Sequence, residues 1–444
     1  MPVLDTGLLF NREKRRTASL SISVMNRGRQ PARAAVQLYT ASISGNLEGA
    51  GPHETGYGTM QTESLANVKL SPSGRARSMY AVTREVKLLT VYGVRVTVSG
   101  LAAGEIGASL AELDESGNVI EQHVLEPLPS GTDELLHAYI ANHTQHSLTV
   151  IQTDTNARVA TINFPAGSSP RTLDFTPDGR EVYVTCQGDK TVKIIDTLTH
   201  EVSGELTFPV NAVPFAVAIS PVGARAYVST IIQDYVAAFD TDARSLIKLI
   251  PFPPGSDPAS LAVSPDGKRV YCCLINRGAI AVIDVGSLTV SATIKLPAGA
   301  KPSAVAVAPD GERIYAADVH HDRIYCIHAS NHVLAATVML DEGSDPQQVI
   351  VTPDGALAYA ACRGTDEIVA INLSRNEILT KIELPKGSNA SDIAVTADGL
   401  KIYVTILTFG YVAVIEVASQ LPIAILPTGS FPSGVAVSPI LLQG

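Results

Sequence analysis

Side chains that could perform chemistry cluster in the part of this 444-residue chain that follows residue 140. The densest group is His320-His321-Asp322, in which two imidazoles and a carboxylate could bind a metal ion or exchange protons with a substrate. Adjacent side chains seldom converge on one ion, and no further histidine or glutamate stands at a spacing that would complete a ligand set. Solvated loop residues are the alternative interpretation of this group.

Other candidate residues stand at one of two positions that recur along the chain. One is just after a recurrent proline, and the other is the loop between the second and third predicted strands that follow this proline. The predicted ligand-binding residues are Arg171, Asp189, Arg277, His320, His321, Asp322 and Gln347. Their neighbours at the same positions are His143, His146, Phe215, Ser303, Ser391, Phe409 and Ser433. No nucleophile elbow, phosphate-binding glycine loop or paired-carboxylate motif occurs, so no catalytic residue, cofactor or metal ligand is assigned from sequence.

The elements that must position these residues recur along the chain. The stretch that begins Pro302-Ser-Ala-Val-Ala-Val returns at intervals of 44, 44, 44, 44, 44 and 42 residues. Its first residues are Pro170, Pro214, Pro258, Pro302, Pro346, Ala390 and Pro432. A fixed period in the low forties, made of short strands and turns, is typical of β-propeller blades.

Each repeat predicts four strands. A Val-Ala-Val run is followed by an Asp-Gly turn, as at Asp266-Gly267 and Asp310-Gly311, which is a strong hairpin signal because glycine adopts positive φ without a steric clash. The second strand carries a tyrosine in register at Tyr139, Tyr183, Tyr227, Tyr271, Tyr315, Tyr359 and Tyr403. An apolar third strand and a Thr-Ile-Lys-Leu-type fourth strand complete the repeat.

The chain ends predict how the ring closes. Tyr139 has no opening strand of the Val-Ala-Val type before it, and the last opening strand, Ser433 to Ser438, has no tyrosine after it. If the last strand completes the blade that begins at Leu135, seven blades result and no blade is left frayed.

The repeat resembles the YVTN-repeat, YncE-like propeller family, which is related in layout to seven-bladed lactonase-type propellers. The resemblance covers about residues 134–444 and is carried by residues 264–271 (SPDGKRVY), 181–185 (EVYVT) and 191–197 (TVKIIDT). These are turn and core residues, so the resemblance implies the fold and no ligand. Only Asn142 keeps the asparagine that the family has after Tyr-Val-Thr.

The first 130 residues lack the period. About seven segments of alternating apolar residues, separated by turn clusters, predict an immunoglobulin-like β-sandwich, similar to that family in pattern only. The predicted fold is therefore all-β, with a sandwich over residues 1–126, a linker over 127–134 and a seven-bladed β-propeller over 135–444.

Charge is distributed unevenly. The net charge of −10 falls entirely on the propeller, because the residues through Asp133 carry 13 basic and 13 acidic side chains. Nucleic-acid binding draws most of its affinity from phosphate neutralisation, so an acidic propeller argues against such a partner. No run of 18 apolar residues predicts a membrane span, and the first residues lack the order of a signal peptide. The five cysteines form no Cys-x-x-Cys motif, and we interpret them as buried thiols.

The start of the chain is apolar and then basic. An arm formed by Leu8, Leu9, Phe10, Arg12, Arg15 and Arg16 could dock on another subunit. The alternative is that this segment is the first strand of the sandwich itself.

Two functional interpretations remain open. The first is a non-enzymatic structural or interaction protein that binds other proteins or copies of itself, with a surface or extracellular location that the family resemblance favours. The second is a lactonase-type hydrolase or a small-ligand-binding propeller that acts at the mouth of the channel. A convergent acid, base and metal at that mouth would favour the second, and scattered, solvated polar residues there would favour the first.

Overall fold

The computed structural model describes residues 136–209 and 212–439 in full and, before residue 136, the backbone of nine strands. The chain divides into two compact units, of which the second is Leu135–Leu441. The first unit contains β1 (Val3–Asp5), β2 (Leu9–Phe10), β3 (Ser19–Asn26), β4 (Ala32–Ile43), β5 (Tyr57–Leu70), β6 (Met79–Glu85), β7 (Val91–Gly100), β8 (Ile106–Leu113) and β9 (Val119–Pro127).

These nine strands pair in the order β5-β4-β7-β1-β9-β8-β3-β6, with β2 also on β7. The predicted arm includes β2, whose backbone pairs with β7 of the same chain, and β1, just before the arm, pairs with β7 and β9. The immunoglobulin-like sandwich stays a prediction, because the side chains of this unit lie outside the described residues.

The second unit is a ring of seven four-stranded antiparallel sheets, so the predicted seven-bladed propeller is confirmed. The inner strands are β13 (Pro170–Phe175), β17 (Pro214–Ile219), β21 (Pro258–Val263), β25 (Pro302–Val307), β29 (Pro346–Val351), β33 (Ala390–Val395) and β37 (Pro432–Val437). The second strands are β10 (His137–Asn142), β14 (Glu181–Cys186), β18 (Arg225–Thr230), β22 (Arg269–Leu274), β26 (Arg313–Asp318), β30 (Leu357–Cys362) and β34 (Lys401–Ile406).

The two outer layers of each blade complete the repeat. The third strands are β11 (Ser147–Gln152), β15 (Thr191–Asp196), β19 (Tyr235–Asp240), β23 (Ala279–Asp284), β27 (Arg323–His328), β31 (Glu367–Asn372) and β35 (Tyr411–Glu416). The outermost strands are β12 (Arg158–Asn163), β16 (Glu201–Thr207), β20 (Ser245–Pro251), β24 (Thr289–Lys295), β28 (Leu334–Met339), β32 (Glu377–Glu383) and β36 (Leu421–Pro427). A single 3-10 turn, Ile275–Arg277, stands between β22 and β23 within the described residues.

The Asp-Gly turns form the predicted hairpins between inner and second strands. At Asp266-Gly267 the glycine has φ of 67°, a conformation that a side chain would strain. The aspartate accepts the backbone N–H of Lys268 at 3.0 Å and the hydroxyl of Ser264 at 2.6 Å, so side chain and backbone define the same turn.

The apolar cores lie between adjacent blades. One such core joins Tyr139 and Leu148 of the first blade to Leu173, Phe175 and Val182 of the second. All seven predicted tyrosines are at most 3% exposed. Because the same interface recurs around the ring, the 44-residue period in sequence is a period in packing.

The last inner strand, β37, closes the ring. β37 lies between the axis and β10, with Ala138 opposite Val437 and Ile140 opposite Val435. Just beyond the strand, the Ser438 backbone N–H donates to the His137 carbonyl at 2.9 Å. The C-terminal strand therefore completes the blade that the chain began about 300 residues earlier.

A second set of bonds links the blades near the axis. At each of the seven junctions, a side chain of one blade bonds to the inner strand of the next. These bonds are Thr172 Oγ1 to Phe215 O (3.2 Å), Ser229 Oγ to Ala259 O (2.6 Å), Val305 N to Ser260 Oγ (3.2 Å), Ser303 Oγ to Pro346 O (2.8 Å), Gln348 Nε2 to Asp392 Oδ1 (3.0 Å), Val435 N to Asp392 Oδ2 (2.9 Å) and Ser433 Oγ to Pro170 O (3.2 Å).

Among the described residues, no helix has both the length and the apolar character needed to cross a bilayer.

Candidate functional site

The start of every inner strand lies beside the end of the second strand of its blade. In the second blade Pro170 pairs with Cys186, and in the fifth Pro302 pairs with Asp318. The loops that precede inner strands and those that follow second strands therefore share one rim, which we call the channel mouth. Residues on this rim escape the packing that fixes the repeat, so their types are free to differ between blades.

Arg171, on inner strand β13, is the most distinctive cation of the channel mouth. The Cζ of its guanidinium lies 3.9 Å from the centroid of the Phe215 ring on the next inner strand, a cation–π contact. No hydrogen bond joins the guanidinium to another described residue, and its Nε is buried without a partner. Burial lowers the pKa of Arg171, while the negative charge of Asp392 acts in the opposite direction.

Asp392, on inner strand β33, supplies that negative charge and is itself held firmly. Its Oδ1 accepts Nε2 of Gln348 at 3.0 Å and the Ile393 N–H at 2.9 Å, and its Oδ2 accepts the Val435 N–H at 2.9 Å. Burial raises the pKa of this carboxyl, against the effect of these donors and of Arg171. Each of its oxygens accepts at least one hydrogen bond, so Asp392 is held in place beside the charge of Arg171.

An imidazole and an aromatic ring stand on the same side of the rim. His143 follows β10, and its ring centroid lies 6.0 Å from that of Phe431. The backbone N–H of His143 donates to the Phe431 carbonyl at 3.0 Å. Burial lowers the pKa of His143, a hydrogen bond with Gln187 opposes this, and the charge of Arg171 lowers it further. The imidazole is therefore neutral at neutral pH and can accept a proton.

A second carboxyl lies further along inner strand β13. Asp174 Oδ2 accepts the Ile219 N–H at 2.7 Å and its Oδ1 accepts the Phe175 N–H at 2.9 Å. Burial raises the pKa of Asp174 to about 6. Asp174 stands where five other inner strands have the alanines Ala218, Ala262, Ala306, Ala394 and Ala436.

The group Arg171, Phe215, Asp392 and His143 comes from four blades and can bind an oxyanion. A guanidinium offers N–H donors in a fork that matches a carboxylate or a tetrahedral oxyanion, and the Nε–H of Arg171 has no partner among the described residues. A neutral imidazole on the same rim can accept the proton of a water molecule. We refer to these four residues as the Arg171 cluster.

The His320-His321-Asp322 group is organised differently from the metal site that the sequence suggested. His321 Nδ1 lies 2.8 Å from Oδ2 of Asp318, a fully buried carboxylate at the end of β26. Asp322 turns away and accepts the N–H groups of Gly343 and Asp345, each at 2.8 Å. Asp234 and Asp366 receive the same kind of bonds in other blades, so Asp322 fixes a loop. The described residues contain no group of three metal-binding side chains.

The remaining predicted ligand residues lie on the rim without joining the Arg171 cluster. Asp189 forms an ion pair with Lys193, with Oδ2 and Nζ 3.0 Å apart. Arg277 donates to the Pro254 carbonyl at 2.6 Å. Gln347 donates to Asp345, which also pairs with Arg363 at 2.7 Å. Of the predicted ligand residues, only Arg171 contributes to that cluster.

Sequence reasoning left Asp392, Gln348 and Asp174 unassigned. A signal was available, because each is a polar residue on an inner strand whose counterparts are mostly alanine or another small residue. The predicted assembly residues Leu8, Leu9, Phe10, Arg12, Arg15 and Arg16 lie outside the residues whose side chains are described.

Comparison with solved structures finds the same fold in proteins of diverse kinds. Hydrazine synthase of Kuenenia stuttgartiensis is similar at 22% identity and a TM-score of 0.56, over 61% of this chain and 90% of that one. A functionally unknown protein of Desulfotomaculum acetoxidans is similar at 16% identity and a TM-score of 0.60, over 68% of this chain and 99% of that one. Virginiamycin B lyase of Staphylococcus aureus is similar at 17% identity and a TM-score of 0.52, over 59% of this chain and 85% of that one. At these identities the likeness shows the fold alone.

No curated protein matches the chain significantly in sequence. The family described as "Lactonase, 7-bladed beta-propeller" matches residues 153–293 and 225–418. The two matches overlap and together cover more than half of the chain, from the first blade to the last. This protein therefore belongs to the seven-bladed β-propeller lactonase family.

Proposed function

We propose that this protein is a lactone-type hydrolase that binds a small ring ester at the channel mouth. The observation that carries the proposal is Arg171, a partly exposed cation at the channel mouth whose Nε is buried without a hydrogen-bonding partner among the described residues. A buried N–H group without an acceptor is unfavourable, because it has lost water without gaining a partner. An anionic ligand or intermediate would pair it.

The chemistry of lactone opening suits this arrangement. Water attacks the ring carbonyl, the carbonyl oxygen becomes an oxyanion, and the ring C–O bond then breaks to give a hydroxy acid. Arg171 would stabilise the oxyanion and afterwards pair with the product carboxylate. His143 would take the proton from the attacking water and return it to the leaving alkoxide. Asp392 would act as a positioning residue that balances the charge of Arg171.

The proposal is tested by a screen of γ- and δ-lactones in which acid release is followed at fixed pH. Arg171→Gln should lower kcat/KM by about tenfold or more, as expected for a lost hydrogen bond to a charged group. The matched control is Arg277→Gln, which removes a cation from the same rim that already donates to a carbonyl. Because the pKa of His143 is lowered, activity should hold from pH 8 to below pH 6.5 and fall only in stronger acid.

Two outcomes would contradict the proposal. One is the absence of ring opening with every lactone in the screen. The other is hydrolysis that Arg171→Gln and Arg277→Gln reduce equally, which would show that the reaction does not use the Arg171 cluster.

A second candidate function rests on the first unit of the chain. This unit is compact on its own and lies outside the residues that the lactonase family matches. On this unit rests the alternative that the protein is an interaction platform that self-assembles through Leu8 to Arg16, at a cell surface or elsewhere. The backbone of Leu9–Phe10 pairs with β7 of the same chain, so assembly would have to replace that pairing or use the basic residues after it. Light scattering of the wild type and of a variant that lacks residues 2–16 tests this proposal. A polymer that becomes a folded monomer on truncation supports it, and a wild type that is already monomeric contradicts it.

A further inference from the structure

Phe431, the residue before the last inner strand, has an unusual backbone for its type. Its φ is 59°, in the left-handed region that bulky side chains rarely adopt. Four other blades have a left-handed residue at the equivalent position, and there it is Ser169, Asp257, Asp345 or Asn389. Serine, aspartate and asparagine tolerate this conformation better, because their short polar side chains bond to the nearby backbone.

Packing does not explain the phenylalanine. Leu288 also has a positive φ, of 52°, but its side chain is only 6% exposed and belongs to an apolar core. The Phe431 side chain is 45% exposed, and its one ring contact among the described residues is with His143. A strained backbone that presents an aromatic ring to solvent at a channel mouth is a feature that ligand binding would explain.

The surroundings of Phe431 indicate the ligand. The charge of Arg171 lowers the pKa of His143, the ring neighbour of Phe431. The hydroxyl of Ser433, two residues after Phe431, donates to the backbone carbonyl of Arg171 at 3.2 Å. Arg171 in turn stacks on Phe215. An aromatic ring and a cation whose Nε–H has no partner among the described residues therefore stand on neighbouring blades of one rim.

We propose that the channel mouth recognises an anion that carries a flat aromatic ring, with its ring on Phe431 and its charged group on Arg171. This inference rests on the proposed function and adds to it the class of the substrate, which is an aryl-substituted lactone. The anion that the mouth recognises is then the product of ring opening, an aryl hydroxy acid. Stacking of the ligand ring on Phe431 makes the mouth select aromatic acids over other acids, whereas Arg171 attracts the carboxylate of any acid.

Binding of 2-naphthoate tests the inference. The protein has no tryptophan, so naphthoate fluorescence can be followed without overlap from that residue. Acetate supplies the charge without the ring, and 2-naphthylmethanol supplies the ring without the charge. The wild type should bind 2-naphthoate more tightly than either compound, measured by fluorescence and by calorimetry.

Variants separate the two contributions. Phe431→Asn should weaken 2-naphthoate binding about three- to tenfold, leave acetate binding unchanged and raise Tm by about 1–3 °C, because asparagine relieves the left-handed strain. Ile232→Asn is the matched control, since it removes another exposed apolar side chain from the same rim, 67% exposed, and should leave 2-naphthoate binding unchanged. Arg171→Gln should weaken both acids about tenfold or more and leave the alcohol unchanged.

The outcomes distinguish this inference from the proposed function. If Phe431→Asn and Ile232→Asn bind 2-naphthoate as the wild type does, the aromatic inference is wrong, even where lactones are opened in an Arg171-dependent way. If 2-naphthoate binding depends on both Phe431 and Arg171 but no lactone is opened, the ligand class stands and the hydrolase proposal fails. If 2-naphthoate binds no better than acetate, the inference is overturned outright.

Discussion

At the scale of single residues, the channel mouth treats two charged groups in opposite ways. Asp318 is fully buried and accepts four bonds, from the N–H groups of Lys301 and His320, from His321 and from the Tyr325 hydroxyl. Burial favours the neutral form of this carboxyl, but the bonds prevail and lower its pKa. Arg171 has no such partners. A saturated charge holds structure, whereas an unsaturated one is available to a ligand.

Asp318 should therefore matter for stability more than for ligand binding. Asp318→Asn places an amide N–H₂ group against donors that need an acceptor, and we expect a loss of about 2–3 kcal/mol in the free energy of unfolding. Urea denaturation measures this loss. Asp310→Asn is the control, because Asp310 is exposed in a turn of the same blade and an amide oxygen can replace its bond to the Glu312 N–H. A loss of less than 0.5 kcal/mol for Asp318→Asn, within the usual range for surface changes, would contradict the structural role.

At the scale of elements, the inner strands are linked by side chains as well as by packing. Strand hydrogen bonds hold each blade together, but among the described strands no backbone ladder joins one blade to the next. The seven side-chain bonds near the axis provide a polar link at each junction, next to the apolar cores between blades. Gln348 and Asp392 form one of these links, so part of the charge balance around Arg171 also holds the ring together.

Ser303 and Ser391 provide a matched pair to test this link. They occupy the same position on inner strands two blades apart, but only the Ser303 hydroxyl donates to the next inner strand, to Pro346 O at 2.8 Å. Ser303→Ala should lower the free energy of unfolding by about 1 kcal/mol, and Ser391→Ala should lower it by much less. Thermal and urea denaturation compare the two. Equal losses would show that the bond between blades contributes nothing beyond the backbone.

At the scale of the whole molecule, the closure between β37 and β10 joins the two ends of the propeller. The inner position of the first blade is filled by the last strand, so every blade has four strands and two neighbours. Without that strand, β10 would present an unpaired inner edge, and apolar side chains such as Val435 would leave the core between the first and last blades.

Deleting residues 432–444 should therefore make the propeller unfold at a much lower temperature or aggregate during expression. Calorimetry and size-exclusion chromatography measure these effects. Deleting residues 440–444 is the control, since it leaves β37 and Ser438 in place and should not change Tm. A shortened protein that lacks β37 and melts with the wild type would disprove closure by the last strand.

The sequence by itself determined the fold of the propeller. Its period, its Asp-Gly turns, its seven tyrosines and the offset between its ends all report local geometry or a packing interface repeated in every blade. A pattern that recurs in all seven blades can be recognised from the sequence alone. The resemblance to YVTN repeats rested on the same core residues, and it indicated the lactonase-type layout without indicating a ligand.

Only the tertiary structure decided which rim residues belong together. Arg171 and Asp392 are more than 200 residues apart, and the ring brings their blades close only because the last strand closes it. The same structure assigned Asp322 to a loop and Arg277 to a carbonyl, although in sequence they appear as available as Arg171. A ligand site occurs once in the ring and consists of residues that differ from the repeat. The 44-residue period therefore cannot indicate which residues belong to it. Contacts between blades have to be seen before its charges can be paired.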